Sequence, residues 1–307
     1  MRKNLAQGRR FKRLTRLLGF TLANCVLVSC STHRGDPGID VDMPTSGYRV
    51  MDAQRFTPPD WPEALHATVF QPNGDGPHAA VLLSHGGGWR SFSPESIDGT
   101  AKYLAEHGFV VVNIEHRFAP EYRFPAQLHD VQQAMHWIHD NAERLAIDPD
   151  RIGAFGFSAG AHLLSLMALV AGQGGELDEE YGGVRTRPAA VVAGATPTDL
   201  RKWQEGLLVE SFIGGTQAEM PDAYALASPV VHVHADAPPF FIFHGTWDKL
   251  VPTHHATDFN DALQSFDITT ELYLQHLRGH YTSFIFRGSA VREGTQFLYR
   301  HLQMDGQ

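Results

Sequence analysis

Gly156-Phe157-Ser158-Ala159-Gly160 sets a serine two residues from a glycine on either side. A serine hydroxyl attacks a carbonyl only when a base within hydrogen-bond reach takes its proton and a third group fixes the tautomer of that base. Residues 151–155 read as a buried strand, and an apolar helix is expected from Ala161 to about Val170. A Gly-x-Ser-x-Gly run between a strand and a helix is a nucleophile elbow, in which a strained turn lifts the hydroxyl above the sheet. Side chains at 156 and 160 would collide as the strand folds back against the helix.

The partners such a serine needs are few. His85-Gly86-Gly87-Gly88 follows an apolar run at 79–83 and can turn the backbone N–H groups of Gly87 and Gly88 toward a developing oxyanion, with Ala159 as the third donor. His85 itself is read as fixing that loop by hydrogen bonding. In an elbow of this kind the acid and the base follow the serine in chain order. Asp248 lies just past the apolar run 239–243, and His280 follows Gly279 between the last strand and the final helix. Asp199 and His276 are the competing choices.

The elements that must hold these groups alternate. Buried strands are expected at 79–83, 109–114, 151–155, 188–193, 239–243 and 268–274, with helices at 96–107, 253–265 and 283–302. The clearest helix carries Leu128, Val131, Met135, Ile138, Ala142 and Leu145 at spacings of three and four, a stripe that must face the sheet. His129, Gln133, His136 and Asp140 on its other side are read as a solvated face. Strands alternating with helices point to an α/β fold with a mostly parallel sheet. The 18 histidines include His232, His234, His254 and His255 but no His-Glu-x-x-His, so no metal and no cofactor are expected.

These motifs together resemble the α/β-hydrolase superfamily over about residues 60 to 302, and within it the esterases with a His-Gly-Gly-Gly loop: the hormone-sensitive-lipase-like carboxylesterases and the bifunctional acetylxylan/feruloyl esterase group. The likeness also rests on Arg117-Phe118-Ala119-Pro120-Glu121, Phe124-Pro125-Ala126, Ala227-Ser228-Pro229 and His244-Gly245. It implies Ser158 as nucleophile, His280 as general base and then acid, Asp248 as orienting carboxylate, and Gly87, Gly88 and Ala159 as oxyanion donors. The departures are His116, where the family usually has Tyr, and Trp247 beside the acid. The expected activity is hydrolysis of short-chain carboxylic esters through an acyl-enzyme, including acetyl or feruloyl esters of polysaccharide. The rival expectations are an amide or peptide hydrolase on the same triad and a non-catalytic binding lipoprotein on a hydrolase fold. Only 47–84 is available ahead of the glycine loop and strands take up most of it, so no large N-terminal cap is expected. The long connection 195–236 offers Trp203, Leu207, Leu208, Phe212 and Ile213 as a pocket wall or as core.

Residues 1–29 hold seven basic residues and no acidic one, with a 12-residue apolar run at 17–28. That run is shorter than the roughly 20 residues needed to span a bilayer and reads as the core of a signal peptide. Leu27-Val28-Ser29-Cys30 resembles the lipobox of bacterial lipoproteins, which implies acylation of Cys30, anchoring in the cell envelope and, with Ser31 following, an outer-membrane location. The remaining chain is divided into a flexible tether, 30–46, and one hydrolase domain, 47–305. The whole chain carries a formal charge of −9, and without the leader 18 basic residues face 34 acidic ones. That balance argues against nucleic acid and against electrostatic docking of the domain on anionic lipid.

Overall fold

The computed structural model describes residues 31–302 except 37, 39, 204 and 205. The leader, Cys25 and Cys30 therefore lie outside the described residues. Nine strands form one sheet: β1 (Ser31–Arg34), β2 (Tyr48–Arg55), β3 (His66–Pro72), β4 (His78–Ser84), β5 (Val110–Ile114), β6 (Ile147–Phe157), β7 (Val191–Gly194), β8 (Phe240–Gly245) and β9 (Thr270–Gln275), in the spatial order β1-β9-β8-β7-β6-β4-β5-β3-β2. The pairs from β5 through β4, β6, β7 and β8 to β9 are parallel. The antiparallel pairs lie toward the margins, β2 and β3 on one side and β1 on the other.

The inner strands β4, β5, β7 and β8 are largely apolar and buried along nearly their whole length because helices cover both faces. Phe240 and Ile242 of β8 pack into one core layer, and Phe241 and Phe243 into the other. The first layer is closed by α2 (Ala126–Asp140), α4 (Ala159–Val170) and α7 (His254–Gln264), and the second by α1 (Asp98–Glu106) and α9 (Gly288–Leu302). Every residue of α4 is buried, which explains an apolar composition all round rather than a stripe. Short helices complete the chain: α3 (Ala142–Leu145), α5 (Leu207–Ile213), α6 (Pro221–Leu226) and α8 (His280–Ile285). No described helix is long and apolar enough to cross a membrane. Strands β2, β3 and β4 take up most of 47–84, and no large N-terminal cap is present among the described residues.

Three expectations are corrected. The stripe on α2 is buried, but its second face is covered rather than solvated: His136 Nε2–H reaches the Tyr181 and Gly182 carbonyls, His129 packs on the Tyr181 ring, and Gln133 donates to the Phe56 carbonyl. Of those four positions only Asp140 is exposed. The segment read as a tether is laid along the domain over its described part. Residues 31–34 pair with β9, Val41 exchanges two hydrogen bonds with Gln296, and the Ser46 N–H donates to the Glu106 carbonyl. An uncovered β9 edge would present unpaired N–H and C=O groups, and β1 satisfies them although its sequence lacks an apolar period. Finally, the expected helix at 283–302 is two helices, and the first of them starts at His280.

Candidate active site

The elbow adopts the backbone its motif demands. Ser158 has φ 53° and ψ −120°, a region that L-residues enter at a cost of about 1–3 kcal/mol unless their surroundings enforce it. Here the Ser158 N–H is held by the Gly194 carbonyl at the end of β7, and its carbonyl accepts the His162 N–H. A side chain on Gly160 would run into the Ser84 and His85 carbonyls, so the elbow is seated directly on the end of β4.

His280 is the first residue of α8. The Gly279 N–H donates to Thr282 Oγ1 at 2.8 Å and the Gly279 carbonyl accepts the Ser283 N–H at 2.8 Å, which sets the imidazole at the helix entrance. Its Nδ1–H donates to Asp248 Oδ2 at 2.7 Å, and its Nε2 accepts the Ser158 hydroxyl at 3.0 Å. The carboxylate thereby selects the tautomer whose free lone pair faces the serine. Asp248 Oδ1 is occupied by the N–H groups of Leu250 and Val251, and His244 Nε2 stands 3.5 Å from Oδ2. Burial alone would raise the Asp248 carboxyl, but the imidazoles of His244 and His280 outweigh it and hold the group well below the usual carboxylate range. All three side chains are buried, with Ser158 and His280 facing a cavity.

The glycine loop curls over the same spot. Gly87 has φ +124°, and a Cβ there would occupy the place of the Ser91 carbonyl. The Gly87 carbonyl instead closes a tight turn by accepting from Arg90 N–H and Ser91 Oγ. Gly87, Gly88 and Ala159 line one cavity of about 570 Å³ with Ser158 and His280. Ala159 opens α4, whose first N–H groups have no partner within the helix. The cavity wall opposite comes from Trp203, Leu207 and Leu208, whereas Phe212 and Ile213 belong to the core. Asp199 is engaged by Arg201, and His276 bonds to Thr32, so neither competitor reaches the serine. Among the described residues no group of histidines and carboxylates could hold a metal ion.

A protein-family comparison matches the BD-FAE model to residues 68–263. The chain belongs to the BD-FAE family. Among curated relatives, the probable carboxylic ester hydrolase LipM of Mycobacterium tuberculosis is 33% identical over 180 residues, 56% of this chain and 42% of that protein. The chain spans about half the length of the curated relatives it matches. Among solved structures, the bifunctional GH43-CE protein of Bacteroides eggerthii is 26% identical with a TM-score of 0.72, covering 82% of this chain and 38% of that one. A butyrate-bound esterase of Thermogutta terrifontis, 23% identical, has a TM-score of 0.69 and covers 86% and 98%. The fold is that of the α/β-hydrolase esterases.

Within this family member, several residues that position the site escaped sequence reasoning. Trp89 donates to His162 Nδ1 at 3.2 Å and stacks on Phe212, and His162 Nε2–H donates to the Ala227 carbonyl at 2.7 Å. This relay ties the glycine loop to the elbow helix, and burial pulls His162 down to about 4. Its signal was a lone imidazole one turn into an apolar helix. Asp130 of α2 accepts from Arg117 Nε, from the Arg117 backbone N–H and from Trp61 Nε1, anchoring the loop after β5. Burial pushes Asp130 up to about 6 even though the Arg117 charge and these donors pull the other way. His85 pins its loop through the Gly86 carbonyl, as expected of it, and stacks at 4.5 Å on His116.

Proposed function

We propose that the chain is a serine carboxylesterase acting on short-chain esters. The observation that carries the reading is the unbroken hydrogen-bonded series from Asp248 through His280 to Ser158. Ser158 Oγ attacks the ester carbonyl while His280 Nε2 takes its proton. The oxyanion is met by the N–H groups of Gly87, Gly88 and Ala159. Collapse of the tetrahedral species expels the alcohol, which takes the proton back from His280. Water, activated by the same imidazole, then releases the acid and frees the serine. Acyl and proton transfers complete the cycle, and the named residues supply each of them.

Fluorophosphonate should label the full-length protein, and Ser158→Ala should abolish the label; an unlabelled wild type would return the chain to the non-catalytic binding class. A matched ester and anilide separate esterase from amidase, with the ester expected to be hydrolysed faster. The apolar wall and the lack of a large cap support short acyl groups, so rates on p-nitrophenyl esters should peak at short chains, and a maximum at long chains would overturn that assignment. Acetyl and feruloyl esters of polysaccharide belong to the substrates tried first, on the strength of the resemblance described above.

Lipidation of Cys30 and attachment to the bacterial envelope, at the outer membrane, are part of the same proposal. They are supported by the basic leader, the short apolar run and the Leu-Val-Ser-Cys sequence. Labelled fatty acid should enter the protein and be lost in Cys30→Ser.

A further inference from the structure

The catalytic groups stand at the carboxyl ends of β6, β8 and β9. Antiparallel pairing sets Ser31 opposite Gln275, the last residue of β9, so β1 starts at that same edge of the sheet. Thr32 is bonded to His276 in the loop leading to His280. β1 lies four strand positions from β6, about 19 Å across the sheet. Ser31, where the preceding sequence enters the described fold, therefore lies on the edge of the sheet that carries the catalytic groups.

The rim of that mouth is unusually apolar for a surface. Phe92, Leu207, Leu250 and Tyr281 line the cavity with much of each side chain in water. Trp247 and Leu277, 64% and 60% exposed, lie on the loops that follow β8 and β9, which are locked together by the bond from the Trp247 N–H to the Arg278 carbonyl. Basic residues stand close to the rim. Segments 86–93, 246–252 and 276–287 carry Arg90, Lys249, Arg278 and Arg287, and their single acid is Asp248, which is buried in the triad. An apolar rim flanked by Arg90, Lys249 and Arg278, with Glu95 and Glu210 at its outer margin, on the edge of the sheet where β1 starts, fits a lipid surface.

We propose that this rim docks on the bilayer, so that the cavity opens onto the membrane and takes esters partitioned into it. The proposal rests on the esterase reading and on the Cys30 anchor. It selects amphiphilic short-chain esters at the lipid surface over a bulky polymer in solution. The overall negative charge opposes approach from bulk water, so the acyl anchor brings the rim to the surface and the rim sets the orientation.

The test uses the full-length chain, made with its leader in a Gram-negative host and reconstituted in phosphatidylethanolamine/phosphatidylglycerol vesicles. Lipid brominated on the acyl chains should quench tryptophan emission, and Trp247→Phe should remove that quenching. The paired substitution Trp247→Asp with Leu277→Asp should lower kcat/KM for a vesicle-partitioned ester about tenfold, since two large side chains no longer leave water, and leave p-nitrophenyl acetate hydrolysis unchanged. Vesicle-bound protein with Trp247 unquenched overturns the proposal, as does protein that does not sediment with vesicles, an equal loss on both esters, or shielding of Trp247 by a second copy without lipid. Failure of the wild type to hydrolyse either ester counts against the esterase reading, while quenching still reports docking.

Discussion

Asp248 makes the heaviest demands of any single side chain in the site. It must stay ionised while buried, and it does so because two imidazoles and two backbone N–H groups face it. Asp248→Asn preserves the shape but favours the wrong tautomer of His280, and kcat on a short ester should fall by about 10⁴ with little change in KM, the size known for the same change in the Ser-His-Asp template. Steady-state kinetics on the purified variant checks this. His162 is the other residue with a distinct signature. His162→Leu leaves the Ala227 carbonyl and the Trp89 indole N–H without their partner, at a cost of about 1–3 kcal/mol for each group left buried. A lower urea midpoint with an unchanged m-value should accompany a lower kcat, because the glycine loop loses its tie to the elbow helix.

At the level of elements, two joints decide whether the site assembles. The first is the seat of the elbow on β4: Gly160→Ala drives a methyl group into two carbonyl oxygens, and the variant should be either insoluble or unreactive to fluorophosphonate while its Gly288→Ala counterpart, in open space, retains labelling. The second is the loop after β5, held by Asp130 against Arg117. Asp130→Asn leaves a buried guanidinium without its counter-charge and should cost about 3–5 kcal/mol in a chemical denaturation curve. The parallel strands and the helices α2, α4 and α7 were legible in the sequence because continuous apolar runs and a 3.6-residue stripe are direct imprints of burial. β1 was not, since Ser31 to Arg34 is polar and is recruited by backbone bonding to β9 rather than by apolar burial. The covered second face of α2 was hidden for a related reason: histidine and glutamine side chains reach backbone carbonyls of distant segments, and such bonds leave no period.

Across the whole molecule, stability is tied to pH through buried imidazoles. Burial lowers His162 to about 4 and His255 to about 3, so the unfolded chain binds protons that the folded one refuses as pH falls below 6.5. Their contribution is complete above that value and is lost on acidification toward 4, about 3 kcal/mol for His162 alone. Asp130, raised to about 6, works the other way: it favours the folded state at low pH and loses that advantage as pH rises through 6. Two lowered histidines outweigh one raised carboxyl, and thermal unfolding should show Tm falling steadily between pH 6.5 and 4. The triad itself was legible because its three residues had to follow the strand edges in a fixed order, whereas the relay from Trp89 to Ala227 joins loops whose meeting only the folded chain reveals.

The pairing of β1 with β9 also has a meaning in time. The bond from Thr32 to His276 spans 244 residues, so the first strand of the sheet finds its partner only after nearly the whole chain is available. Until then the sequence beside Cys30 has no edge to join. β1 is thus the last strand to join, and the edge of β9 stays open until it does.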